Sequence, residues 1–185
     1  MTRDRNALRS ADPPILICAD VQAQYLHDHC SGGREASRCL ALLELWRAEL
    51  WPVLHLKRIA QAAWFDPASD VTDWADGFRP RPGELVFEHP LPSAYSSSRF
   101  ADYMASMKHV HCLVAGCSLD ETVLATVIDG FHRSHRFRVV VDAVTCPQAA
   151  IVDSDAYAAS VLSVIGKFAG VTLTSDLIEA AAIES

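Results

Sequence analysis

Residues 110–126 read VHCLVAGCSLDETVLAT, and the order of chemistry within them decides the fold. Val110 to Ala115 is an apolar run of strand length, Gly116-Cys117-Ser118 is a turn, and a helix begins at Ser118 and runs to about His132. Ser118 and Glu121 form S-x-x-E, the capping-box pattern in which each side chain satisfies a backbone N–H near the helix start. A buried strand passing through a tight turn into a helix is one half of a crossover between parallel strands. The helix start also has chemical use. Its first N–H groups lack partners within the helix, and with the helix dipole they can hold an anion or a developing oxyanion.

Working outward, the same unit recurs. Pro14-Ile-Leu-Ile-Cys-Ala-Asp20 is a nearly continuous apolar run of the kind covered on both faces. A polar loop with Gly32-Gly33 follows, then a helix from about Glu35 to Leu50 with Leu40, Leu43, Trp46 and Leu50 at helical spacing. Trp51 to Leu56 and Leu85 to Phe87 read as strands, and Ser97 to Met107 as a short helix. Beyond the central stretch, Phe137 to Asp142 and Val171 to Thr174 are strands separated by a helix over about Asp153 to Ile165, with a terminal helix after them. The irregular passage from Lys57 to Pro82 is long enough to cover a site or build an interface. Six strands alternating with helices predict an α/β domain, a mainly parallel sheet between two helical layers. Residues 1–13 are expected to be a flexible segment and 14–185 a single domain.

In such sheets ligands bind beyond the carboxyl ends of the strands, beside a topological switch point. That rule nominates Asp20, His89 and the Gly116–Thr122 turn. Singly, each has an ordinary explanation: a turn acid, a satisfied histidine, a helix threonine. Together they gain weight because three strand ends point at one edge. Asp142 and Asp129 read as a turn residue and a solvated helix acid, and His109, His111, His132 and His135 as surface residues, since none groups with carboxylates in a metal pattern.

The totals narrow the class. A net charge of −7 and a pI near 5.5 oppose a surface for nucleic acid or anionic membrane. The N-terminal residues lack the apolar core of a signal peptide, and no run approaches the length of a membrane span, so a cytoplasmic protein is expected. The six cysteines (Cys18, Cys30, Cys39, Cys112, Cys117 and Cys146) have no zinc-site spacing and are expected as free, buried small hydrophobes. No cofactor or metal is expected.

Four motifs in series resemble the isochorismatase-like (cysteine hydrolase) family. Ile15-Leu-Ile-Cys-Ala-Asp20-Val-Gln22 is similar to its opening strand with a D-x-Q ending. Arg81-Pro-Gly83, followed by Val86-Phe-Glu-His89-Pro-Leu-Pro-Ser93-Ala-Tyr95, resembles its PGE…K…SAF stretch. Val114 to Thr126 resembles its G-x-x-T-D-x-C-V-x-x-T turn and helix, and Val139-Val-Val-Asp142-Ala143 the strand and DA that follow. The resemblance implies a Rossmann-like fold, hydrolysis of a small molecule through an Asp-Lys-Cys triad, and a cis peptide bond after Cys117. Residue by residue, Asp20 retains the acid, His89 falls where the family has Lys, and Thr122 where it has Cys. The metal-binding loop of the family's nicotinamidases is not recognisable between His55 and Pro82.

Two functions follow from the resemblance. In one, the chain is a hydrolase of an amide, ester or enol-ether bond. Asp20 would then orient His89, His89 act as base, and Thr122 or a water attack; the Cys117–Ser118–Thr122 turn would supply the oxyanion site, and Gln22, Tyr25 and Tyr95 the pocket. The family's isochorismatases, which lack the Cys and use the Asp for vinyl-ether hydrolysis, offer a variant. In the other, the chain is an inactive descendant serving as a ligand-binding or structural subunit. The family's habits also imply a homodimer or homotetramer, for which the exposed-looking Trp64 and Trp74 are candidate contacts.

Overall fold

The computed structural model describes residues 13–29, 33–59, 73–107, 110–147 and 153–182. Six strands form one sheet: β1 (Ile15–Ala19), β2 (Val53–Arg58), β3 (Leu85–His89), β4 (His111–Gly116), β5 (Arg136–Val144) and β6 (Gly170–Thr172). Their order is β3-β2-β1-β4-β5-β6 and every pairing is parallel. The chain builds outward from β1 on one side, then returns to β4 on the other, which puts the switch point between β1 and β4. Helices α1 (Ala23–His29), α2 (Arg34–Ala48), α3 (Ser98–Ser106), α4 (Leu124–His132), α5 (Ser154–Ile165) and α6 (Thr174–Ala182) complete the layers.

Alternation along the buried strands divides the core in two. Ile15, Ile17 and Ala19 of β1 face one cluster with Leu54, Phe87, Phe100, Val114, Val127 and Ile165, under α3, α4 and α5. Leu16 and Cys18 face the other with Leu42, Leu43, Trp46, Leu113, Val140 and Leu177, under α2 and α6. All five residues of β1 are fully buried, as an apolar run without alternation requires of a strand covered on both faces. Asp142 lies within β5 rather than in a turn. Its Oδ1 accepts from the Thr174 N–H at 2.8 Å and caps α6, one of the devices that satisfies a helix start.

Several expectations are corrected. The polar stretch after Asp20, expected as a loop, contains the seven-residue helix α1. Trp74, expected to be exposed, is only partly so. It is half-buried, stacks edge-on against His55 at 5.4 Å and bridges to Gln22. Trp64 and Cys30 lie outside the described residues, as do residues 1–12 and His109. Cys18, Cys39, Cys112, Cys117 and Cys146 form no disulfide among the described residues. Among the described residues no helix is long and apolar enough to cross a membrane.

Candidate functional site

Asp20 lies one residue past β1, its N–H bonded to the Leu56 carbonyl of β2 at 3.1 Å. Its backbone enters the left-handed region with φ 45°, which Asp tolerates better than most residues. The chain thereby turns sharply, with the Gln22 N–H returning to the Asp20 carbonyl at 2.7 Å. The carboxylate has two partners from distant parts of the chain. Oδ1 faces His89 Nε2 at 2.8 Å, and Oδ2 accepts from the Thr122 hydroxyl at 2.6 Å. His89, Asp20 and Thr122 are 0, 1 and 2 % exposed, so β1, β3 and the helix after β4 converge on one buried cluster.

The partners fix where the protons sit. His89 Nδ1 faces the Leu91 carbonyl at 2.7 Å, an acceptor only, so this nitrogen carries hydrogen. Nε2 faces a carboxylate that already accepts from Thr122, so the arrangement satisfies every group when the ring is an imidazolium. Burial pushes the His89 pKa down, but the hydrogen bond and charge of Asp20, with the Leu91 carbonyl, outweigh it and the pKa is raised. His89 therefore supplies a buried positive charge against Asp20. The anticipated relay, with His89 taking the Thr122 proton, differs from this geometry. Asp20 stands between the two, and both imidazole nitrogens face acceptors.

The turn after β4 is set by the close approach of two strands. A Cβ on Gly116 would lie 2.3 Å from the Ala19 carbonyl oxygen and 2.8 Å from the Ala19 nitrogen, and its φ is 118°, so glycine is required. The Cys117–Ser118 bond is cis. The expected capping box does not form. Ser118 Oγ donates to Asp120 Oδ1 at 2.8 Å, Glu121 reaches across to Arg58, and the helix opens with a π-helical turn over Leu119–Val123. Cys117 N–H is committed to the Ala19 carbonyl at 2.7 Å and Leu119 N–H to the Thr145 carbonyl at 2.8 Å. Both N–H groups leave the expected oxyanion set. Thr145, just past the end of β5, brings to the same sheet edge a buried hydroxyl that has no hydrogen-bond partner among the described residues.

The expected pocket residues have different placements. Gln22 is fully buried and clamps the end of β2: Oε1 accepts from the Arg58 N–H at 2.8 Å, and Nε2 donates to the Arg58 carbonyl at 3.3 Å. Tyr25 on α1 lies within the site's field. Burial first, then the charge of Asp20, push its pKa up to about 12. Tyr95 points elsewhere, with its hydroxyl 2.5 Å from His135 Nδ1 and Arg133 over its ring at 4.8 Å. His135 is thus a partner of Tyr95 rather than a bare surface residue. Arg58 joins the site although the strand-end rule does not nominate it. Its side chain is 10 % exposed, and its Nη2 donates to Glu121 Oε1 at 2.8 Å. Its signal in the sequence is a cation at a strand's carboxyl end, since β2 runs past the expected Leu56 to Arg58.

Among the described residues no group of three His, Cys, Asp or Glu side chains is placed to hold a metal ion. The site therefore consists of a carboxylate flanked by an imidazolium and a hydroxyl, at the switch point of the sheet. A family model described as isochorismatase domain matches residues 14–176. No curated protein matches the sequence. Among solved structures, one of the isochorismatase family from Chromobacterium violaceum ATCC 12472 is similar at TM-score 0.82 and 24 % identity, covering 94 % of this chain and 95 % of that one. An isochorismatase from Pseudomonas putida KT2440 gives 0.77 and 23 %, covering 95 % and 98 %. A cysteine hydrolase from Pseudomonas syringae pv. phaseolicola 1448A gives 0.80 and 15 %, covering 93 % of each chain. At these identities the structural likeness carries the fold.

Proposed function

The chain belongs to the isochorismatase family, and we propose that it is a hydrolase of a small-molecule amide, ester or enol-ether bond that works through Asp20, His89 and Thr122. The observation carrying this reading is the 2.6 Å hydrogen bond from Thr122 Oγ1 to Asp20 Oδ2. A hydroxyl becomes a useful nucleophile when a base receives its proton as the new bond forms, and that contact is what the chemistry requires. Asp20 is the base. His89 is the charged partner that holds Asp20 in place and keeps its second oxygen occupied.

For an acyl substrate the steps balance as follows. Thr122 Oγ1 bonds to the carbonyl carbon while its proton passes to Asp20, and the carbonyl electrons move onto oxygen near the first-turn N–H groups. Collapse breaks the C–N or C–O bond, and the proton on Asp20 leaves with the departing group. Water then attacks the threonyl ester, giving its proton through Asp20 to Thr122 as the acid departs. For an enol ether, a proton passed from the His89 imidazolium to Asp20 goes on to the vinyl carbon. Water adds to the resulting oxocarbenium carbon and returns a proton to the Asp20–His89 pair. The hemiketal then collapses to a carbonyl compound as its C–O bond breaks and the alcohol leaves, and Thr122 takes no covalent part.

The deep burial of the three side chains also favours a second reading, a non-catalytic subunit in which the same bonds lock the sheet edge. A panel of small amides, esters and enol ethers, followed by mass spectrometry, separates these. For an acyl substrate Thr122→Val is expected to lose turnover by about 10³-fold or more, as removal of a nucleophile does. Thr122→Ser should retain activity and trap a covalent acyl adduct at residue 122 on rapid quenching. For an enol ether Thr122→Val retains most activity while Asp20→Ala loses it. Turnover that survives Asp20→Ala would refute the proposed site, and no turnover of any substrate would support the subunit reading.

A further inference from the structure

The amino edge of the sheet, at the opposite end of the strands from Asp20, gathers exposed cations that the fold does not pair. There the exposed His111 opens β4 and is the register partner of the exposed Arg136, which opens β5. Helix α4 ends next to Arg133, and α5 ends two residues before Lys167; both side chains are exposed. The Gly130 carbonyl accepts from the Arg133 N–H at 3.0 Å and the His135 N–H at 2.9 Å, which folds the chain back so that Arg136 returns beside the helix end. Arg38, Arg47, Arg58, Arg79 and Arg81 all stand in ion pairs with carboxylates. Arg133, Arg136 and Lys167 take part in no ion pair among the described residues, even with Asp129 one turn before Arg133. That is unexpected in a chain with 23 acids against 16 Lys and Arg.

Apolar surface lies among these charges. Phe131 is 50 % exposed, and its ring packs edge-on against Phe168 at 5.5 Å. Phe168 follows Lys167, whose N–H donates to the carbonyl of the exposed Val164 at 3.0 Å. The Arg133 guanidinium lies over the Tyr95 ring at 4.8 Å, so its position is held by stacking. Helix carboxyl ends favour cations, which accounts for Arg133 and Lys167. It accounts neither for Arg136, which opens a strand, nor for an aromatic ring left in water between the charges. An aromatic anchor within a charged rim is the make-up of a protein-binding surface.

Charge and shape together narrow the partner. A nucleic acid needs a longer basic stripe than this edge offers, the net charge of −7 opposes it, and a phosphate backbone gives Phe131 nothing to bind. A protein segment with acids around one bulky apolar side chain answers both halves of the surface. We propose that the amino edge of the sheet docks such an acidic segment of a partner protein, with Phe131 receiving its apolar residue and Arg133, Arg136 and Lys167 its carboxylates. The surface lies away from Asp20, His89 and Thr122, so it stands independently of the hydrolase reading.

Fluorescence anisotropy on the full chain, with a labelled peptide of one tryptophan between two short runs of glutamate, tests the surface. Wild type is expected to bind it about tenfold or more tighter than the same peptide with glutamine for glutamate, and added salt should weaken the binding. Arg136→Glu and Lys167→Glu should each weaken it about fivefold or more, Phe131→Ala by a similar factor, and Arg136→Lys should keep most of it. Arg34→Glu makes the same change of charge at the exposed start of α2, towards the other edge of the sheet, and should weaken binding by less than about twofold. A loss in Arg34→Glu equal to that in Arg136→Glu would reduce the effect to net charge and overturn the proposal. So would the absence of saturable binding, equal binding of the two peptides, or tighter binding of oligothymidylate than of the glutamate peptide. Should Arg136→Glu fail to fold, as judged by circular dichroism, Lys167→Glu and Phe131→Ala decide it.

Discussion

Replacing Asp20 with Asn is the sharpest perturbation of the buried cluster, because the amide is isosteric and removes the charge. In the wild type the carboxylate receives one hydrogen bond from the His89 imidazolium at 2.8 Å and one from Thr122 at 2.6 Å. Bonds to a charged group contribute about 1.5–3 kcal/mol each and neutral ones about 0.5–1.5. The Asn side chain can still satisfy both partners, with its oxygen accepting from Thr122 and its nitrogen donating to a neutral His89. The exchange of two charge-assisted bonds for two neutral ones then costs about 2–3 kcal/mol. The cost depends on pH. The folded pKa of His89 is raised above its ordinary 6.5, so its contribution is fully present below about 6.5 and is lost as pH rises through the folded value. In Asp20→Asn the counter-charge is gone and burial acts alone, which depresses the His89 pKa and makes its protonation destabilising. Urea unfolding at pH 5.5 and pH 9, with unchanged m values, is expected to show the full deficit at the lower pH and a smaller one at the higher, where the Thr122 bond alone still distinguishes carboxylate from amide. The same variant removes the base and should reduce kcat/KM by about 10²–10⁴-fold at every pH. A deficit equal at both pH values, or larger at pH 9, would refute the assignment of an imidazolium–carboxylate pair.

Two further outcomes follow from packing and charge. Gly116→Ala places a methyl 2.3 Å from a backbone oxygen at φ 118°, so it should cost about 3 kcal/mol or more and lower Tm by about 10 °C, read by differential scanning calorimetry. Glu84 feels burial pushing its pKa up, yet bonds from Arg47, the Arg81 N–H and His55 pull it down to about 2. Its contribution is therefore present above about 4.5 and lost as pH falls through about 2. Glu84→Gln should accordingly cost about 1–2 kcal/mol at pH 7 after solvent screening and almost nothing near pH 2, measured by denaturant midpoints.

Much of the architecture was written along the chain. Continuous apolar runs such as Ile15–Ala19, ended by turn signals and followed by helical spacing, can be stable only as central parallel strands between helices, and they fixed fold class and strand order of appearance. The same runs named Asp20 and His89, because a polar residue at the end of a buried strand has only the sheet edge to go to. Other facts were set by contacts between distant segments. Ser118 and Glu121 spell a capping box, but Arg58, arriving from β2, draws Glu121 away, and the helix opens as a π-turn instead. Tyr95 carries the right type for a pocket, yet its hydroxyl finds His135 across 40 residues. The direction of the hydrogen bonds, Thr122 and His89 both onto Asp20, was likewise invisible. Local pattern determines which groups reach the edge, since it depends on neighbours in sequence. Which acceptor each donor meets depends on the few ångströms that only long-range packing sets.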